Sequence, residues 1–111
     1  MHPNDMPPPQ VYLYRMKARE AVKRLAKDLR KESPRPATDE LGGFSGAARC
    51  VDKCRATLVG WQGEYTYACP LDRKFLDAAG IGANEFKAFV ATGASDQEIS
   101  HWIEEHANVS V

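Results

Sequence analysis

Residues 63–72 read GEYTYACPLD and mark the point where an aromatic segment turns into a helix. Pro70 suits the first turn of a helix, because its missing N–H would have no partner there. Asp72 falls in the same turn, where the positive end of the helix dipole favours a carboxylate. Gly80 occupies the position of a C-terminal stop. The stretch therefore predicts a helix that starts at Pro70 and places Cys69 at its N-cap.

The chain on the N-terminal side of this junction predicts an extended segment and a helix. Residues 61–68, WQGEYTYA, alternate aromatic or glycine residues with polar ones, as a strand does. A single short strand has no partner with which to form a sheet. We therefore expect an extended crossing whose aromatic side faces the core. Residues 44–58 carry apolar side chains at helical intervals, and Gly60 is expected to end that helix.

Two further helices are predicted on the C-terminal side. The segment ANEFKAFVATG offers Asn84 as an N-cap and Gly93 as a stop. The segment SDQEISHWIEEHA opens with a capping box, in which Ser95 is the N-cap and Glu98 is the third helical residue. Together with a helix near the N-terminus, these elements predict an all-α protein, a compact bundle of about five helices with one short extended segment at 61–68.

The N-terminal third is predicted to carry a long basic amphipathic helix at 10–33. Residues 10–32 place apolar side chains along one helical stripe, with Lys and Arg on the other faces. Residues 1–9 are rich in proline and are expected to form a disordered tail. Residues 34–111 are expected to form the helical body, so that the 111 residues make a single domain.

The charge distribution narrows the classes of partner. The chain is neutral overall, but residues 1–36 carry a net charge of +5 and the rest carries −5. A nucleic-acid-binding arm would have this asymmetry, and so would a basic helix that packs on an acidic body. Acidic residues interrupt the basic helix and no nucleic-acid-binding motif is present, which disfavours nucleic acid as a partner.

Membrane insertion and secretion are also disfavoured. No apolar run reaches the ~18–20 residues that a membrane span needs, and the N-terminus lacks the order of a secretory signal. Three cysteines at these spacings do not form a secreted disulfide framework. The sequence therefore predicts a cytoplasmic protein with reduced thiols.

The middle and C-terminal parts of the chain resemble a known family. The pattern comprises Leu41-Gly42-Gly43, then Arg49, Asp52, Lys53, Arg55 and Ala56, then Gly60, Gly63, Glu64 and Tyr65, then Cys69-Pro70-Leu71-Asp72, Phe75, Gly80 and Ile81. It is similar to a family of small bacterial proteins catalogued as domain of unknown function 5069. The resemblance covers roughly residues 34–107 and implies no established activity. Cys50, Cys54 and the basic N-terminal helix lie outside the shared pattern.

Cys69 is the first candidate for a functional residue. At an N-cap, its sulfur would lie beside unpaired backbone N–H groups at the positive end of a helix, which favours the nucleophilic thiolate. The alternative is a buried cysteine that caps the helix and touches aromatic rings. A catalytic role also calls for a base, and His101 and His106 would have to reach Cys69 through the fold.

The second candidate is a set of charged residues on the second helix. Arg49 and Lys53 share a face at i,i+4, and Asp52 can pair with either neighbouring arginine. A solvated, salt-bridged face is one interpretation. The other is a pocket for a small polar or anionic molecule, lined by the basic groups and by residues of the following segment. Its members would be Arg49, Lys53, Arg55, Glu64, Tyr65 and Asp72.

Three hypotheses about function remain open at this point. The preferred one is binding of a small anionic ligand between the second helix, the extended segment and the third helix. The second is an enzyme that uses Cys69 as nucleophile, or Asp52 or Glu64 as general base. The third is a module that assembles into a homo-oligomer through the N-terminal helix. No metal site is predicted, because Cys50 and Cys54 fall on an apolar helical stripe, and the cofactor, if any, is unknown.

Overall fold

A computed structural model describes residues 10–109 of the chain, and the predicted tail at 1–9 lies outside this range. The described part is mainly α-helical, as predicted, with five helices and one small antiparallel hairpin. In chain order the elements are α1 (Gln10–Leu25), β1 (Glu40–Leu41), β2 (Phe44–Ser45), α2 (Ala47–Val59), α3 (Pro70–Ala79), α4 (Ala83–Val90) and α5 (Asp96–Val109). None of these helices is long and apolar enough to cross a membrane.

Helix α2 lies at the centre of the molecule. Ten of its thirteen residues are buried, which is far more than one amphipathic face would place in the core. It contacts α1, α3 and α4, and the core continues through α5. Three aromatic rings in edge or tilted contact connect α3, α4 and α5. The ring centroid of Phe86 lies 5.5 Å from that of Phe75 and 5.9 Å from that of Trp102. Most charged residues of α2 are consequently buried as well, and they need oppositely charged or hydrogen-bonding partners inside the protein.

Helix α1 is shorter than predicted. The expected helix covered residues 10–33, whereas α1 ends at Leu25. The N–H of Leu29 donates to the carbonyl of Trp61 at 3.0 Å instead of continuing the helix. Asp28 then accepts hydrogen bonds from the backbone and side chain of Arg30, which forms a local turn. A tertiary hydrogen bond and an aspartate turn therefore replace the last two turns of the predicted helix.

The start of α2 differs from the prediction because a hairpin precedes it. Phe44 and Ser45 were expected to be helical, but they pair with Glu40 and Leu41 as β2. A Cβ atom on Gly42 would lie 2.8 Å from the side chain of Ile103, so only glycine fits the turn there. The hairpin contacts α2 and α5, and this packing stabilises strands of only two residues each.

Residues 61–68 do not form the predicted extended crossing. They fold into successive turns, in which Tyr65 donates its N–H to the carbonyl of Gln62. Gly63 has a positive φ of 58° and packs closely on the carbonyl of Leu29. The alternation of polar and aromatic residues in this segment therefore does not indicate a strand. Its residues make individual contacts from turns. Tyr67 is the member of this segment that packs against the core, and its hydroxyl donates to the carbonyl of Ala83.

The predictions for α3 and α5 are confirmed in detail. Helix α3 starts at Pro70 with Cys69 as its N-cap and is followed by Gly80 in the left-handed conformation. The capping box before α5 forms reciprocally, with Ser95 and Glu98 each accepting the other's backbone N–H. Both starts rest on interactions between residues a few positions apart.

The bounds of α4 differ from the prediction. The N-cap is Gly82 rather than Asn84, which is already inside the helix, and the helix ends at Val90 before Gly93 is reached. Gly93 has a φ of 89°, and a Cβ atom there would lie 2.6 Å from the Cβ of Ala21. Its role is therefore to let α1 pack closely against the turn after α4.

Candidate functional site

Cys69 sits in a turn whose backbone is held by Asp72. The carboxylate of Asp72, in the first turn of α3, accepts the N–H of Ala68 at 2.9 Å. Ala68 has a φ of 64°, and it is the one non-glycine residue with a positive φ in the described part of the chain. Such a conformation costs free energy and persists where the surroundings impose it, which occurs often at functional sites. The strained residue directly precedes the cysteine.

Lys53 reaches this turn from the middle of α2. Its Nζ atom lies 2.8 Å from Oδ2 of Asp72 and 3.0 Å from Sγ of Cys69. The side chains of Lys53 and Asp72 are only 4% and 1% exposed, whereas Cys69 is half-buried. A buried ammonium group needs acceptors for its protons, because desolvation otherwise disfavours its charge. We call Lys53, Cys69 and Asp72 the thiol cluster.

The thiol cluster changes the ionisation of Cys69. Burial raises the pKa of the thiol, but Lys53 and the backbone N–H groups of Asp72 and Leu71 outweigh this effect and hold the pKa below its ordinary value. Burial lowers the pKa of Lys53, but the hydrogen bonds to Asp72 and Cys69 raise it by more. The net pKa lies above the ordinary value, so the side chain stays charged. A lowered pKa increases the fraction of thiolate, which is the nucleophilic form of cysteine.

The other two cysteines behave in the opposite way. Cys50 and Cys54 are free thiols completely buried on α2. Burial raises the pKa of Cys54 to about 12 and raises the pKa of Cys50 as well. Buried thiols of this kind are inert components of the core. The structure therefore distinguishes one partly exposed thiol with a lowered pKa from two buried thiols with raised pKa values.

A second group of charges fastens the segment before the hairpin to α2 and α5. The guanidinium of Arg35 pairs with Asp52 at 3.0 Å and with Asp96 at 2.8 Å. Asp52 also accepts the backbone N–H of Arg35 at 2.8 Å. Arg55 pairs with Asp96 at 2.9 Å and donates to the carbonyl of Ala94. We call Arg35, Asp52, Arg55 and Asp96 the ion network.

The remaining predicted site residues lie apart from both groups. Arg49 donates weakly to the carbonyl of Arg35 at 3.4 Å, and its guanidinium lies 5.7 Å from the ring centre of Tyr65. The Nε atom of Arg49 is buried without a hydrogen-bond partner. Glu64 is exposed on the turn after α2. Neither Tyr65 nor Glu64 contacts the thiol cluster through a hydrogen bond among the described residues.

The structure thus brings together some of the predicted residues and separates the others. Lys53, Cys69 and Asp72 converge, although the sequence suggested no direct pairing between them. The three basic residues predicted to bind an anion do not converge, since Lys53 faces Asp72, Arg55 faces Asp96, and Arg49 lies beside Tyr65. Asp52, a predicted base, is buried and engaged by Arg35. Sequence reasoning missed Arg35, whose place in a proline-rich segment carries no signal for a tertiary ion pair.

Comparison with known proteins places the chain in a family. The model of the family described as Domain of unknown function (DUF5069) matches residues 31–110. The chain belongs to this family. No curated protein and no solved structure shows significant similarity to it.

The DUF5069 match contains the whole thiol cluster and the whole ion network, and it leaves α1 outside. No group of three or more metal-ligating side chains occurs within residues 10–109 of this DUF5069 protein. His106, one of the two histidines considered as a base for Cys69, is bonded to the carbonyl of Trp102 on α5. Within the described range, the side chain that hydrogen-bonds the thiol of Cys69 is that of Lys53.

Proposed function

We propose that this DUF5069 protein acts through Cys69 as a nucleophilic thiolate that attacks a small electrophilic substrate. The observation that supports the proposal is the 3.0 Å hydrogen bond from the buried ammonium of Lys53 to the sulfur of Cys69. This contact places a fixed positive charge beside the sulfur, where it stabilises the thiolate more than the neutral thiol. The strained backbone of Ala68 beside the cysteine supports the same conclusion.

Each member of the thiol cluster has a distinct part in this mechanism. Lys53 and the first N–H groups of α3 stabilise the thiolate, and the thiol proton passes to solvent before the sulfur attacks. Asp72 fixes the ammonium group and the turn at Ala68 together. The sulfur lone pair forms the new bond to the electrophilic atom, and the leaving group departs with the electron pair of the bond that breaks.

Binding of an anion by the basic residues of α2 is less well supported by the geometry. An anion at Lys53 or Arg55 would compete with the carboxylates that already lie 2.8–2.9 Å away. Arg49 is the member of the set without a carboxylate partner among the described ion pairs, and it faces Tyr65. The contacts therefore favour thiol chemistry over capture of an anion at this junction.

Assembly through the N-terminal helix stays a prediction. Leu13 and Met16 are 53% and 45% exposed on α1 and lie three residues apart on one face of the helix. Replacing both by glutamate should lower the mass measured by light scattering if this face joins two copies. An unchanged mass would contradict the prediction.

Site-resolved alkylation tests the proposed function directly. The protein is treated with iodoacetamide between pH 5 and pH 9, and the labelling rate of each cysteine is read by mass spectrometry of its peptide. Cys69 should react fastest, with a rate midpoint below the ordinary thiol pKa of 9.0. Cys50 and Cys54 should react slowly throughout, because their pKa values are raised. Slow labelling of all three cysteines at equal rates would refute the proposal.

A further inference from the structure

A cavity lies apart from the thiol cluster and the ion network. It is a groove of about 770 Å³ between α1, the end of α2, α4 and α5. Its walls are mostly apolar, and no member of the thiol cluster or the ion network lines it. The apolar lining side chains are principally Ala18, Val22, Leu58, Val59, Phe89 and Trp102. Both the volume and the apolar walls are typical of small-molecule sites.

One wall of the groove is a preformed aromatic surface. The rings of Phe89 and Trp102 are stacked, with centroids 4.9 Å apart and planes at 10°. His106 lies against Trp102 at 3.8 Å, and its Nδ1 atom is 2.8 Å from the carbonyl oxygen of that residue. Because a carbonyl can only accept, Nδ1 carries a proton and the imidazole orientation is fixed. The aromatic wall is therefore rigid and suited to a flat or extended apolar group.

The rim of the groove is basic along α1. Arg15 and Arg19 both line it, and the guanidinium of Arg19 is held there by a 3.0 Å hydrogen bond to the carbonyl of Leu58. Glu85, on the α4 side, is the single acidic residue among the described lining residues. No ion pair of Arg15 or Arg19 with a carboxylate occurs in the described part of the chain. Positive charge at one edge of an apolar groove complements an anionic head group.

We infer that this groove binds an amphipathic small molecule whose apolar alkyl or aryl body lies on the aromatic wall and whose carboxylate pairs with Arg15 and Arg19. The ligand class follows from the combination of an apolar floor and a one-sided basic rim. Arg15, Ala18, Arg19 and Val22 belong to α1, which lies outside the family match. The site is therefore a property of this chain's own N-terminal helix, and it does not depend on the reactivity of Cys69.

Calorimetric titration with a matched series of eight-carbon probes tests this inference. Octanoate, octanol and octylammonium share the same alkyl chain and differ in the charge of the head group. We expect octanoate to bind about tenfold more tightly than octanol, since a charge-assisted hydrogen bond contributes about that factor. Octylammonium should bind most weakly. Equal affinities for octanoate and octanol, or absence of binding by octanoate, would overturn the inference.

Substitutions on the rim and in the groove locate the binding. Arg15→Gln with Arg19→Gln should remove the preference for octanoate over octanol, whereas Lys17→Gln with Arg24→Gln, a control of equal charge on exposed positions of the same helix, should retain it. Retention of the preference in the first variant would place the ligand elsewhere.

A second pair of variants tests occupancy of the groove itself. Ala88→Phe places a bulky ring in the groove, and Ala78→Phe places the same ring on an exposed face of α3. Only the first should abolish octanoate binding. Light scattering on the wild type and both variants tests whether a second copy of the chain fills the groove instead. A dimeric wild type that becomes monomeric in Ala88→Phe would show this and would overturn the inference.

Discussion

Lys53 donates a hydrogen bond to the sulfur of Cys69 across 3.0 Å, and this contact joins the middle of α2 to the N-cap of α3. The same ammonium group pairs with Asp72 at 2.8 Å. Burying a lysine is costly unless its charge is matched. Here a carboxylate supplies one counter-charge, and the thiolate of Cys69 supplies another when it forms. The contact therefore couples the packing of two helices to the ionisation of one thiol.

Lys53 and Asp72 should affect the pKa of Cys69 in opposite directions. Lys53→Met removes the hydrogen bond and the positive charge that stabilise the thiolate, so the pKa should rise. Asp72→Asn removes a negative charge that opposes the thiolate, and Cys69 then no longer shares the Lys53 ammonium with a carboxylate. The pKa of Cys69 should therefore fall. The midpoint of the pH–rate profile for alkylation of Cys69 measures both shifts. Circular dichroism checks that each variant is folded.

The matched control for this pair of variants is Lys74→Met. Lys74 is exposed on α3, and the same substitution there removes one positive charge without touching the thiol cluster. Its alkylation midpoint should equal that of the wild type. Shifts of the same sign in Lys53→Met and Asp72→Asn would contradict the electrostatic account, because a general loosening of the fold moves both in one direction.

The ion pair between Arg35 and Asp52 should contribute strongly to stability. Asp52 is 3% exposed, so Arg35→Ala leaves a buried carboxylate without its main partner. Breaking a buried pair costs about 3 kcal/mol in the free energy of unfolding, and the lower end of the range applies because Arg35 is 25% exposed. Urea unfolding measures the loss. Lys27→Gln, which breaks the exposed pair with Glu32, is the control, and an equal effect of the two substitutions would refute the prediction.

Acid should weaken the fold partly through Asp96. Burial raises the pKa of Asp96, but Arg35 and Arg55 lower it more, so its folded-state pKa lies below the ordinary value of 3.8. A carboxyl group with a lowered pKa stabilises the folded state above pH 3.8, and this contribution is lost as the pH falls through the folded-state value. Asp96→Asn should therefore destabilise the protein at pH 6 and flatten the decline in unfolding free energy below about pH 4.

Urea titrations between pH 6 and pH 2 measure this effect. Asp77→Asn removes an exposed carboxylate from α3 and should leave the slope as in the wild type. The unfolding free energy of Asp96→Asn should still decline somewhat with falling pH. The reason is Asp28, whose pKa is lowered to about 2 by the hydrogen bond from Arg30. An unchanged slope in Asp96→Asn would show that its ion pairs do not contribute to acid stability.

Gly93 should control the docking of α1. An alanine there has to adopt a φ of 89°, and its Cβ atom would lie 2.6 Å from the Cβ of Ala21. Gly80→Ala provides the control, since Gly80 also has a positive φ but a Cβ there meets no atom within 4 Å. We expect Gly93→Ala to lower the free energy of unfolding by about 1–3 kcal/mol more than Gly80→Ala, because only the former overpacks an interface. Equal losses in urea unfolding would show that α1 does not pack closely at Gly93.

Local signals in the sequence were sufficient for the helix starts that are built from neighbouring residues. Pro70 and Asp72 predicted α3 with Cys69 at its N-cap, and Ser95 with Glu98 predicted the capping box of α5. In each case the residues that mark the helix start lie within four positions of each other. The position of Cys69 at the N-cap of α3 was predicted for the same reason, since the helix end is local.

By itself, then, the sequence determined the mainly α-helical class, the family and the junction at Cys69, because periodicity and caps act over a few residues. Only the tertiary structure decided where α1 stops, since Leu29 exchanges a helical hydrogen bond for the distant carbonyl of Trp61. It also decided the partners of the charges on α2. Lys53 is sixteen residues from Cys69 and Arg35 is seventeen from Asp52, so which base meets which acid depends on how the helices pack. Burial then makes those pairings obligatory, because a charge inside the protein has to be matched.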